Sequence, residues 1–301
     1  MKHPLQPTLL LIVLFVSAQL LGLVIISEYI DIRKSQETGT TVQRAEIYER
    51  IGIEPPTVDN ESFTFLYIFL AVIFGTLIVL LIIKLKKRTL WKLWYLLAIF
   101  SSLLVALNPF VFGLLKNPSF AYMVTIVTAV IFSFLKVFRP NIFVHNITEL
   151  LIYGGIAALL VPIVNLVSAV ALLVLVSVYD AYAVWKSKHM VKMAEFQTQT
   201  NVFAGMSIPY NFKGIKPGRK MSKESNVKSA ILGGGDVAFP LIFSGVVLKT
   251  TGSYFSAVVI TAAAAIALSI LLVKGQKGKF YPAMPFLSFG CFLGYLIALL
   301  I

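Results

Sequence analysis

Nine stretches of mostly apolar residues, separated by short polar segments, run the length of this 301-residue chain. They fall at roughly 8–27, 63–83, 93–113, 119–135, 147–162, 164–185, 229–248, 253–273 and 281–301. Most are close to the ~20 residues an α-helix needs to cross the hydrocarbon core of a bilayer. The pattern therefore predicts an all-α polytopic membrane protein with nine transmembrane helices. Pro162 and Asn165 leave room for only a tight turn between the fifth and sixth. The first run follows Met1-Lys2-His3; it is too long for a secretory signal core and lacks a small-x-small cleavage site, so it reads as a retained span. Residues 1–301 are expected to form one domain, with six spans in 1–185, a polar loop at 186–228 and three spans in 229–301.

Composition agrees with that pattern. A hydrophobic share of 58%, a charged share of 13% and a mean hydropathy of +0.88 lie outside the range of soluble domains. The net charge of +13 would suggest nucleic acid in a soluble protein. Here the cations sit in loops between spans, where they set orientation, and no nucleic-acid partner is implied. With the N-terminus in the cytoplasm, 20 of the 26 Lys and Arg fall in inside segments. The odd span number then puts the C-terminus outside. Two loops exceed a simple connection. Residues 28–62, with eight acidic and four basic residues and the rigid Pro55-Pro56 pair, form an outer loop that reads as a lid, a substrate-docking surface or a solvated linker, the linker being slightly favoured. Residues 186–228 are basic and punctuated by Pro209, Gly214, Pro217 and Gly218, the composition of a mobile segment. Within them, Val202-Phe203-Ala204-Gly205-Met206 is an apolar patch suited to the membrane surface or to the neighbourhood of a site.

Several chemistries drop out. The single Cys291 allows no intrachain disulfide or thiolate cluster. His3, His145 and His189 all read as flanking residues, so neither a zinc HExxH site nor a Ser–His pair at membrane depth is expected. No metal and no cofactor are called for. What stands out is a pair of carboxylates inside apolar runs, Asp180 and Asp236. Asp180 lies six residues before Lys186, about 9 Å inward at helical rise; Asp236 lies eight residues after Lys228, about 12 Å inward. The two spans are consecutive and antiparallel, so the carboxylates approach one level on the cytoplasmic side.

Carboxylates at that depth are rare and usually functional. Two of them within a few ångström share one proton and titrate as a unit. One then draws a proton from water while the other donates to a carbonyl oxygen. Ion or proton relays use the same residues, so a cation or proton-coupled channel or transporter is the alternative. No Lys or Arg reads as lying deep in a span to serve as counter-charge. The surrounding residues favour hydrolysis. Gly233, Gly234 and Gly235 precede Asp236; three glycines weaken a helix by about 1 kcal/mol each relative to Ala and bare the backbone beside the carboxylate. An unwound substrate could pair with that backbone by strand addition. Pro282-Ala283-Met284-Pro285 opens the ninth run, where two prolines disfavour regular helix and leave backbone groups unpaired at the depth of the aspartates. Tyr179 could orient the pair or contact substrate.

Tyr-Asp in the sixth run, Gly-x-Gly-Asp in the seventh and a Pro-Ala-Leu-like tripeptide opening the ninth resemble the presenilin and signal peptide peptidase group of intramembrane aspartyl proteases. The resemblance covers the whole chain. It implies that Asp180 and Asp236 are the catalytic pair, Gly233 and Gly235 the motif glycines, and Pro282-Ala283-Met284 a loop that shapes the site. Met284 stands where the family has leucine, a swap of similar volume. Orientation looks like the presenilin branch and implies transmembrane protein substrates whose N-termini lie outside. Family members often work with partner subunits. This compact chain reads as a microbial-type homologue acting alone in the cell membrane; accessory subunits are not evident and homo-oligomerisation is left open.

Overall fold

The computed structural model describes residues 4–85, 87–139, 141–187, 190, 193, 196–197, 200, 202–210, 229–276 and 281–301. Among them, each of the nine apolar runs carries a helix: α1 (Leu5–Tyr29), α4 (Thr64–Lys84), α5 (Arg88–Leu114), α6 (Pro118–Phe138), α7 (Ile142–Leu160), α8 (Leu166–Trp185), α9 (Gly234–Thr251), α10 (Tyr254–Lys274) and α11 (Met284–Leu300). Seven of these, counting the short turns that flank α4 and α7, are long and apolar enough to cross a membrane. The other two are α9, diluted by glycines, Asp236 and Lys249, and α11, which is only 17 residues long.

Local signals in the sequence start these helices. Asn117 accepts from the Phe120 amide ahead of α6, with Pro118 at the first helical position. Asn141, Asn165 and Ser253 cap α7, α8 and α10 in the same way. The tight turn foreseen at Pro162 is a single 3-10 turn, Val161–Ile163.

The centre of the molecule is α9. Every residue from Pro240 to Lys249 is buried, walled by α1, α7, α8, α10 and α11. Small residues permit this closeness. A methyl on Gly154 would sit 3.3 Å from the Gly22 Cα where α7 crosses α1, and one on Gly294 would sit 2.7 Å from the Ile260 Cα between α11 and α10.

The structure departs from the sequence reading in two places. The outer segment is no solvated linker: it forms α2 (Ile32–Thr38) and α3 (Ala45–Glu49) and docks on the bundle. Ile47, Tyr48 and Ile51 are buried there. The Tyr48 hydroxyl donates to the Ala158 carbonyl at 3.2 Å, the Asn108 amide donates to Ile47 O at 2.7 Å, and Lys249 Nζ donates to Thr41 Oγ1 at 2.9 Å. Burial, with Tyr29 nearby, pushes the Tyr48 phenol above its ordinary value. A few apolar side chains among many charges were enough to dock the segment.

The second departure amends the all-α expectation. Residues Ser229–Gly233, expected to open the seventh helix, form a strand, β2. It pairs antiparallel with β1 (Gly205–Pro209), with Gly205 opposite Gly233 and Ser207 opposite Ile231. Ala230 and Leu232 face inward while Ile231 is 40% exposed, the alternation of a half-buried strand. The apolar patch seen in sequence thus runs into β1, beside the site. The expected mobility of residues 186–228 falls largely outside the described residues.

Candidate active site

Three helices carry the three motifs, and all three pack on one another: α8 with α9, α8 with α11, and α9 with α11. Asp180, on α8, is 5% exposed. The chain at Pro282-Ala283 is not yet helical, so the first amides of α11 have no partners within their own helix. They turn to Asp180: the Met284 amide donates to Oδ2 at 3.1 Å, and the Ala283 amide donates to the same carboxylate. The helix start and the carboxylate satisfy each other, since positive helix ends attract anions. Pro285 sits inside the first turn, where its missing N–H does no harm. One turn further along, the Ser177 and Ser288 hydroxyls share a hydrogen bond of 2.8 Å between α8 and α11.

Asp236 lies in the first turn of α9, half-buried, at the point where β2 hands over to helix. Each preceding glycine has its own surroundings. A methyl on Gly233 would lie 3.1 Å from Asp236 Oδ2, so the bare backbone leaves the carboxylate room to fold back. Gly234 donates its amide to Ala204 O at 3.2 Å, and a methyl there would lie 3.3 Å from the Tyr153 hydroxyl. Gly235 is exposed, and among the described residues the Phe239 ring, at 3.5 Å, is what a methyl there would meet. At the residue after Asp236, Gln19 of α1 donates to Val237 O at 2.8 Å, a contact no local sequence signal announces. Pro240 has no N–H to return to the Asp236 carbonyl, which further loosens the first turn of α9.

Tyr179 faces α4: its hydroxyl donates to Thr76 Oγ1 at 3.1 Å and its ring meets Phe69 edge-on at 6.1 Å. It ties the helix that carries Asp180 to α4.

Two sequence readings need correction. The depth of Asp236 was reckoned at helical rise, but Ser229–Gly233 is extended, so that arithmetic does not apply. His145 is not a flanking residue: α7 begins at Ile142, five residues before the apolar run. His145 is therefore within the helix, 5% exposed, with Nε2 at 2.7 Å from Gly205 O. A buried cation is present nonetheless, at the end of a span and not deep within it: Lys136 stands in the last turn of α6. Lys136 is 2% exposed on α6 and forms an ion pair with the equally buried Glu149 of α7, a carboxylate the sequence reading passed over. That pair compensates itself.

Seven helices long and apolar enough to cross a membrane, a carboxylate on each of the packed helices α8 and α9, and backbone amides turned onto one of them are the parts an intramembrane aspartic hydrolase needs. Residues 13–301 match the family model for "Signal-peptide peptidase, presenilin aspartyl protease", and the chain belongs to that family. It is similar to solved structures of a presenilin family intramembrane aspartate protease in two crystal forms. The P2 form gives a TM-score of 0.64 at 19% identity, covering 96% of each chain. The C222 form gives 0.63 at 18%, covering 97% of this chain and 96% of that one. No curated protein matches by sequence. The chain is thus an integral membrane protein and an intramembrane aspartic protease; neither the family nor the solved neighbours support the channel alternative.

Proposed function

We propose that Asp180 and Asp236 act as one proton-sharing dyad that hydrolyses a peptide bond inside a transmembrane segment of a membrane protein. The ionised member takes a proton from a water held between them as the water oxygen bonds to the scissile carbon. The protonated member gives its proton to the carbonyl oxygen, producing a gem-diol with no acyl-enzyme. Collapse of the diol breaks the C–N bond, and the proton first taken from water goes to the departing amine.

The observation that carries this reading is the meeting of motifs: the Ala283 and Met284 amides hold the Asp180 carboxylate where α8, α9 and α11 pack together. Pro282, Ala283 and Met284 shape the site by fixing Asp180, and Tyr179 by bracing α8 against α4. Gly233 makes room for the Asp236 carboxylate; Gly234 seats the α9 start against Tyr153; Gly235 leaves the approach open. The half-exposed strand β2 supports entry of an unwound substrate by strand addition ahead of Asp236. The positive-inside distribution of Lys and Arg supports nine spans, a cytoplasmic N-terminus and an active site near the cytoplasmic side of the cell membrane.

The test is cleavage of a single-span model substrate by the purified protein in liposomes. Product is expected from the wild type and none from Asp180→Ala or Asp236→Ala. Undiminished cleavage by either variant, folded, would overturn the dyad.

A further inference from the structure

A two-stranded ribbon of five-residue strands is marginal on its own and must be held from outside. In this protein α1 packs against both strands, and the hydrogen bonds that fix β1 come from α7. Asn146, 7% exposed, meets Ser207 in the middle of β1 through both ends of its amide. Its Nδ2 donates to Ser207 O at 2.9 Å, and the Ser207 N–H donates to its Oδ1 at 3.1 Å. This is the pairing a third strand would make. One residue earlier on α7, the His145 ring reaches Gly205 O at 2.7 Å. From α5, Tyr95 donates to Phe203 O at 2.7 Å and also contacts Glu149 at 3.2 Å, so the buried ion pair with Lys136 steadies this anchor.

The pairing has a geometric consequence. In an antiparallel ladder, residues alternate between bonding their partner strand and facing away from it. Ser207 faces away from β2, toward Asn146; its opposite residue, Ile231, must then turn its N–H and C=O away from β1. The ribbon has one edge closed by α7 and one edge, at Ile231, on the other side. Ile231 lies five residues before Asp236. Whatever sets the place of the ribbon against the bundle therefore also sets which bond of a strand added at Ile231 reaches the dyad.

We infer that Asn146, seconded by His145, is a positioning residue that registers the scissile bond. This rests on the proteolytic reading above and on substrate entry along β2. The side chain touches neither substrate nor the aspartates; it acts by holding β1. Slack in that hold lets an added strand present neighbouring bonds, since strand register is weakly fixed when only one partner defines it.

The experiment compares wild type with Asn146→Leu, which keeps the size of the side chain and removes both bonds. Cleavage products of a single-span model substrate are mapped by mass spectrometry, with KM and kcat measured on protein of verified fold. The wild type is expected to cut at one dominant bond. The variant is expected to spread its cuts over adjacent bonds and to raise KM about tenfold, as loss of two ordinary hydrogen bonds would, with kcat changed less than about threefold. Asn146→Ser, polar but too short to span the gap, replaces it if the leucine variant does not fold, with the same expectation. An unchanged cut pattern overturns the inference, as does a uniform loss of kcat at an unchanged site. Failure of both variants to fold overturns it too, by making Asn146 a purely structural residue. If the proteolytic reading itself is wrong, the wild type yields no product that Asp236→Ala abolishes, which separates the two failures.

Discussion

Helices α4 and α7 invert the usual relation between hydropathy and burial. The most apolar stretch of α4 has a mean hydropathy of 3.0, yet only 6% of it is buried inside the protein; for α7 the figures are 1.6 and 61%. In water the apolar helix would be the core. In a bilayer the solvent is itself apolar, so hydropathy marks the face given to lipid, while polar groups gather inside where they can partner one another. Helix α4 shows Tyr67, Phe74, Leu77 and Leu81 outward and meets its neighbours through little more than α8 and α5. Helix α7 buries His145, Asn146, Thr148 and Glu149 against α6 and the ribbon. The second kind of helix holds the ribbon beside the candidate site; the first kind covers the outside.

The sharpest way to break this contrast is to unbalance the interior charge. Glu149→Leu strands the Lys136 ammonium in the protein interior and is expected to lower stability by about 3–5 kcal/mol, measured by chemical unfolding in micelles. Adding Lys136→Met should recover most of that loss. On α4, Phe74→Ala should move stability by less than about 0.5 kcal/mol, because the ring is 65% exposed. Glycines give a second, smaller contrast. A methyl on Gly155 collides with the backbone carbonyl of Ser102, so Gly155→Ala is expected to cost about 1–3 kcal/mol. Gly75 of α4 has nothing within 4 Å, and Gly75→Ala should stabilise by about 0.5–1 kcal/mol through helix propensity alone. A third contrast lies at the seam between the two kinds of surface. Thr76→Val removes the acceptor for the Tyr179 hydroxyl at 3.1 Å and should cost about 0.5–1.5 kcal/mol in the same unfolding measurement.

What the sequence disclosed follows the same division. Apolar runs announce themselves by length and hydropathy, so a helix was foreseen in each of the nine, and Pro162 with Asn165 marked the turn between α7 and α8. Asp180, Asp236, the glycines before Asp236 and the prolines of the third motif stood out because each conflicts with an ordinary apolar helix. Interior features were harder to see. Lys136 and Glu149 are 13 positions apart on different helices, and their mutual compensation exists only after folding. His145 and Asn146 lie near the start of α7, ahead of the apolar run, and look like loop residues until Gly205 and Ser207 arrive from far along the chain. The strand β2 was hidden because Ala230-Ile231-Leu232 is apolar enough to be read as the start of α9. Its flanking glycines, and the Gly205 and Pro209 that bound its partner, were the available strand signal. Gly205 itself has φ of +149°, a conformation that disfavours any side chain.

The central claim is that Asp180 and Asp236 work as a single unit, and a double-mutant cycle on cleavage tests it most directly. With Asp180→Asn, Asp236→Asn and the double variant, each folded and reconstituted with the same single-span substrate, kcat/KM should fall at least about a thousandfold in either single variant. The double variant should be no worse than the poorer single, as expected of groups that act together. Losses that multiply, or a single variant keeping a tenth of wild-type activity, would contradict the account.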